Sequence, residues 1–178
     1  MKATGIVRRI DDLGRVVIPK EIRRTMRIRE GDPLEIFTAS DGEVIFKKYS
    51  PLGELSETAI QFAEVLNRSV HVPVLITDRD HVIAVSGASK RDLLEQRITP
   101  EVEQLLENRT TYIREKKEDT LQPVQTGTKP ANVLVPILGN GDIAGSVILL
   151  AEEDSLPRNL DRTCAQMAAA FLGKQTEV

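Results

Sequence analysis

The sequence predicts a mixed fold: a small, mainly-β domain over residues 1–50 and an α+β domain over residues 51–178. Three observations point there. Short β-branched or alternating apolar runs, separated by Asp- and Gly-containing turns, fill the first 50 residues around one brief helical stretch. Ser50-Pro51 then supplies a helix cap and a first helical position, which marks a boundary. Beyond it the pattern runs helix, strands, helices, strands, helix, the order of a sheet with helices packed on it. Aromatic residues make up only 3% of the chain, so Val, Ile, Leu and Ala must build the core.

In the first domain, residues 4–10 and 15–18 are strand candidates on either side of Asp11-Asp12-Leu13-Gly14, whose residue types favour a turn. Pro19 suits the first position of a helix reaching about Arg27, with Ile22 and Met26 on one face. Glu30-Gly31-Asp32 closes that helix, and Pro33 cannot continue it. Residues 34–39 and 43–49 alternate as strands around Ser40-Asp41-Gly42, a hairpin signal. A 50-residue unit of this kind buries too little apolar surface to stand alone. An obligate dimer, in which a second copy completes the core, is therefore expected.

The second domain opens on a helix over 51–68 that spaces Leu52, Leu55, Ala59, Phe62 and Leu66 by three and four. Such a seam fits either a short coiled-coil contact or packing on its own domain. Strands at 72–77 and 82–86 follow, joined by Asp78-Arg79-Asp80-His81. Ser89 can cap a helix through Leu93 and Leu94, and Thr99-Pro100 starts another carrying Val102, Leu105 and Leu106. The polar run 114–120 reads as an exposed loop or edge. Residues 132–138 and 142–150 form a hairpin around Gly139-Asn140-Gly141. The last helix, 156–172, puts Leu160, Cys164, Met167, Ala168 and Phe171 on one face, with Gly173 as its stop.

Net charge is −3 over 178 residues, but the charge is segregated. Residues 1–29 hold nine bases against three acids, a net of +6, while residues 51–178 hold 13 bases against 19 acids, a net of −6. A basic head on an acidic body calls for an anionic partner at one end. Residues 1–9 hold no apolar run of secretory type, and the longest apolar stretch, 143–151, is about half of a spanning helix. With Cys164 as the single cysteine, no internal disulfide can form, and a cytoplasmic protein is expected.

Catalytic signals are weak. His71 and His81 lie ten residues apart with no cysteine near, Asp78 and Asp80 read as turn residues, and the 86–90 stretch lacks the spacing of a phosphate loop. No enzyme activity, metal or cofactor is expected.

The stretch Thr4-Gly5-Ile6-Val7-Arg8-Arg9-Ile10, then Leu13-Gly14-Arg15-Val16-Val17-Ile18-Pro19, then Glu21-Ile22-Arg23-Arg24-Thr25 resembles the AbrB-like family of transition-state regulators. Gly31-Asp32, Leu34-Glu35-Ile36 and Lys47-Lys48-Tyr49 continue the likeness to residue 49. The resemblance implies a swapped-hairpin fold, an intertwined dimer and double-stranded DNA as partner. The family's DNA-contacting arginines fall on Arg8, Arg15, Arg23 and Arg24. The C-terminal region resembles a GAF domain, a fold used for small effectors and for dimerisation, so it either takes a small effector of unspecified identity or fixes oligomer geometry. Of the dimer and tetramer that two pairing regions allow, the family resemblance favours the homotetramer. The whole chain is similar to members of the family from spore-forming bacteria. That likeness implies control of late sporulation genes, as activator, repressor or both.

Residue chemistry supports the arginines independently, because a guanidinium fork grips phosphate or a guanine edge with two parallel hydrogen bonds. No aromatic accompanies the basic run before Phe37, which disfavours stacking on single strands. The short helix suggests readout of DNA shape more than of base edges. The alternative is an antitoxin-like or signalling module whose basic head holds a protein partner. Disorder over 51–178 would favour that alternative, and a folded region there the regulator.

Overall fold

The computed structural model describes residues 4–126, 129–152 and 155–177, and it divides into two compact units, Met1–Tyr49 and Ser50–Val178. The first contains helix α1 (Lys20–Met26) and strands β1 (Leu34–Thr38) and β2 (Val44–Lys48). The two strands pair antiparallel, with Ile36 opposite Phe46 and Phe37 opposite Ile45. A three-residue loop joins them. The Ala39 N–H donates to the Glu43 carbonyl at 3.0 Å, and the Gly42 N–H donates to the Ala39 carbonyl at 3.1 Å. Gly42 has φ +86°, the left-handed position that such loops require.

The expectation of strands at 4–10 and 15–18 does not hold within one chain. Neither segment pairs with another strand of the chain, although the turn between them forms. A strand exists only where another backbone accepts and donates its hydrogen bonds. Among the described residues, no second segment is placed to do so.

The second unit holds a five-stranded antiparallel sheet in the order β4-β3-β7-β6-β5. Its strands are β3 (Val74–Thr77), β4 (Val82–Ser86), β5 (Tyr112–Ile113), β6 (Ala131–Gly139) and β7 (Asp142–Leu150). The helices are α2 (Pro51–Glu54), α3 (Ser56–Val70), α4 (Lys90–Leu93), α5 (Pro100–Glu107) and α6 (Asn159–Gln175). The expected single helix over 51–68 is thus two. Leu55, at φ −94° and ψ 22°, breaks it just after Gly53, a residue of weak helix preference. Ser50 caps α2 as expected, its Oγ accepting the Gly53 N–H at 3.1 Å.

Successive residues of the central strands serve opposite faces. Val74, Ile76, Val147 and Leu149 pack with α3 and α6, whereas Leu75, Ile148 and Leu150 pack with Leu93, Val102 and Leu106 on the other side. Both faces are covered, which explains why β3 and most of β7 are buried and read as continuous apolar runs. Across the β3–β7 pair, Thr77 Oγ1 and Ser146 Oγ satisfy each other at 2.7 Å.

Two sequence readings of α6 are corrected. Its buried face is Ala165, Ala168, Ala169 and Leu172, while Leu160, Met167 and Phe171 face outward. Small side chains let the helix lie close to the sheet, and the larger ones form a second apolar stripe. Gly173 does not stop the helix but lies inside it. A Cβ there would sit 2.1 Å from the Leu138 carbonyl oxygen, so only glycine permits the approach.

Candidate nucleic-acid interface

The four arginines expected to meet DNA all lie in the first unit, and all are solvent-exposed. Arg8 precedes the first turn and Arg15 closes it. That turn repeats the geometry of the β1–β2 loop. The Asp11 N–H donates to the Arg15 carbonyl at 3.1 Å, the Gly14 N–H donates to the Asp11 carbonyl at 3.0 Å, and Gly14 has φ +75°. Asp11 then locks it from the side: Oδ1 accepts the Leu13 N–H at 3.0 Å and the Arg15 N–H at 2.8 Å. Its Oδ2 accepts the Arg15 Nε–H at 2.8 Å, an ion pair whose arginine remains mostly exposed. These donors hold the Asp11 carboxyl below the usual carboxylate range, the Arg15 backbone N–H contributing most.

Arg23 and Arg24 sit side by side in the last turn of α1, where cationic side chains complement the helix dipole. Neither side chain is paired among the described residues. Pro19 stands one position earlier than expected, at the N-cap, and its carbonyl accepts the Arg23 N–H at 2.9 Å. The helix ends before the expected Glu30-Gly31-Asp32. Arg27 adopts φ 50°, its N–H donates to the Arg24 carbonyl, and the Ile28 N–H donates to the Arg23 carbonyl at 2.8 Å. This closure normally falls to glycine; here an arginine takes it. Lys48 reinforces the junction, donating from Nζ to the Arg27 carbonyl at 3.2 Å and lying 4.0 Å from the buried Asp32 carboxylate.

Sequence reasoning marked Asp11 only as a turn residue and missed its hold on Arg15. The signal was present in an aspartate three residues before a glycine, followed at once by an arginine.

Apolar side chains surround these charges without a core. Among the described residues of the unit Pro19 alone is buried as a whole residue, and Val7 is 89% exposed, Val17 68% and Ile36 61%.

Residues 54–177 match the family described as stage V sporulation protein T C-terminal, transcription factor. Stage V sporulation protein T of Bacillus subtilis is 49% identical to this chain over 179 residues, covering 99% of each. The chain belongs to the stage V sporulation protein T family of transcription factors. Residues 7–53 also match the family described as antidote-toxin recognition MazE, bacterial antitoxin. The transition state regulatory protein AbrB of Bacillus subtilis is 51% identical over 69 residues, 35% of this chain and 71% of that protein. Among solved structures, the GAF domain of an Acinetobacter phosphoenolpyruvate-protein phosphotransferase covers 68% of this chain and 81% of its own, at TM-score 0.56 and 12% identity. An AbrB-like unit thus precedes a unit of GAF fold in this chain. No helix among the described residues is long and apolar enough to cross a membrane.

Proposed function

We propose that the AbrB-like units of two copies form one intertwined body that binds double-stranded DNA in the cytoplasm, and that Arg8, Arg15, Arg23 and Arg24 make the contacts. The observation that carries this is the pairing of an uncovered apolar surface with a concentrated positive charge in residues 4–49. Segments 4–10 and 15–18, joined by a formed turn but without strand partners in their own chain, supply the backbone groups for intertwining. A dimer presents eight of these arginines, so the log–log salt slope of DNA affinity has an upper limit of about 7, at roughly 0.9 per neutralised phosphate.

The GAF-fold unit joins such dimers into a homotetramer. Phe62 stacks on Phe171 with ring centroids 4.9 Å apart, and Val65, Leu160 and Met167 extend an exposed apolar stripe along α3 and α6. A second copy of the same helix pair would cover that stripe. The unit tunes DNA affinity by taking a small effector or by fixing oligomer geometry. The protein works by binding, not by catalysis.

The antitoxin-family match over residues 7–53 favours a second reading, a protein partner on the basic head. Against it stands the folded core that follows, from Leu52 to Leu172, in place of a flexible tail. Fluorescence anisotropy with duplex DNA across a salt series tests the choice. Wild type should bind with a steep salt slope. A folded variant with all four arginines replaced by alanine should lose both affinity and slope. Equal behaviour of the two proteins would leave the arginines as solubilising charge and shift the search to a protein partner.

A further inference from the structure

The polar run 114–120 is not wholly exposed, because Arg114 at its head is 2% exposed. β5 pairs Tyr112 with Leu134 and Ile113 with Val133. The Arg114 N–H then donates to the Asn132 carbonyl at 2.8 Å, which sets Arg114 opposite Asn132 at the end of the sheet. Side chains alternate along a strand, so Tyr112 shares the face of Arg114.

The guanidinium is only half satisfied. Nε donates to the Lys116 carbonyl at 3.2 Å and Nη2 to the Lys117 carbonyl, while Nη1 is buried with no acceptor. No carboxylate pairs with Arg114 among the described residues. Asn132, 3% exposed, donates from Nδ2 to the Ser155 carbonyl at 2.9 Å, but its Oδ1 is buried without a donor. The Tyr112 hydroxyl is buried as well; its oxygen lies toward the Leu121 backbone N–H, and its proton has no acceptor. Burial, with the Asp119 charge adding, pushes its pKa up, so it stays a neutral donor. Water satisfies neutral donors and acceptors, but a buried cation calls for an anion.

We propose that Arg114, Asn132 and Tyr112 form the recognition end of a site for a small carboxylate with an N–H or O–H on the adjacent carbon, an α-amino or α-hydroxy acid. The carboxylate meets Arg114 Nη1 and the Tyr112 hydroxyl, and the ligand's donor meets Asn132 Oδ1. Tyr112 also lines a cavity of about 320 Å³ together with Gln104, Leu105, Asn108 and Leu121, and Glu101 stands at the same wall. That volume is within the range of small-molecule sites. Arg114 and Asn132 do not line it, so Tyr112 is the junction at which the ligand's remainder would pass from the enclosed polar end into it. The proposal rests on the reading that the GAF-fold unit takes an effector, and it names the effector's class.

The test uses the full-length protein without DNA, by calorimetric unfolding and ligand-observed NMR, with L-leucine, L-lactate, L-leucinamide and acetate as probes. At least one of L-leucine and L-lactate should raise Tm with concentration, by a few degrees at 100-fold over Kd, whereas the amide and acetate should not. Arg114→Met can fail to fold, so the informative variant is Asn132→Asp, which sets a carboxylate opposite Arg114. It gives up the Nδ2 donation to the Ser155 carbonyl and gains a partner for Arg114, so it should still unfold cooperatively and lose the ligand-dependent shift. The proposal is overturned if neither acid shifts Tm at about 10 mM, if the amide matches the acid, or if Asn132→Asp keeps the shift. Binding that leaves DNA affinity unchanged would keep the site and remove only its regulatory use.

Discussion

The two units of this chain solve the problem of burial in opposite ways. Among the described residues, every buried aliphatic side chain of the core lies at Leu52 or beyond, whereas Pro19 is the one residue of the first unit buried as a whole. The second unit covers both faces of its sheet with its own helices and loops, so its stability is internal. The first forms its turns, its helix and one hairpin, yet leaves its apolar side chains outside. The contrast repeats within the first unit. Two three-residue loops close with the same pair of hydrogen bonds, around Gly14 and Gly42, but only the second is flanked by a ladder. Local chemistry sets a turn, whereas a ladder depends on where the next strand comes from.

The largest test of this contrast is Val17→Asp. A charge at a residue 68% exposed in one chain should do little unless a second copy covers it. The expected result is loss of the N-terminal dimer and at least a 100-fold weaker DNA affinity by anisotropy, with the calorimetric transition of the GAF-fold unit unchanged. Gly173→Ala should do the reverse. The new methyl meets the Leu138 carbonyl, so urea unfolding of the second unit should move down by about 1–3 kcal/mol, the usual range for overpacking. Hydrogen exchange within residues 4–49 should not change.

The smallest effect concerns pH. Asp11 has a folded pKa below its unfolded value, so its contribution to the turn is complete above the ordinary carboxylate pKa of about 4 and fades as pH falls through the lower folded value. Carboxyl NMR should find the Asp11 midpoint below that of a free aspartate. Arg15→Gln should move it upward while leaving it below the free value, because the Leu13 and Arg15 backbone donors remain.

Much of this architecture was legible in the sequence because it rests on local chemistry. Ser50-Pro51, Ser40-Asp41-Gly42 and the 142–150 strand appear where residue preference places them. The misreadings arose where a distant neighbour decides. The face of α6 read from Leu160, Cys164, Met167, Ala168 and Phe171 shares only Ala168 with the buried one, because proximity to β6 selects Ala165, Ala169 and Leu172 beside it. Arg114 looked exposed because its neighbours 115–120 are, and only the pairing of β5 with β6 buries it. The four arginines were visible as charge; that Asp11 grips Arg15 depends on how the turn folds back.

Cys164, half-buried on α6 against the larger core cluster, is the single thiol of the chain. Nature has thereby left one chemical handle on the helix that carries the outward stripe of Leu160, Met167 and Phe171. Its alkylation rate serves as a clock for loosening of the α3–α6 pair, and a spin label there measures copy-to-copy separation with no engineered residue. Assembly and opening of the regulator can be timed on the unaltered protein.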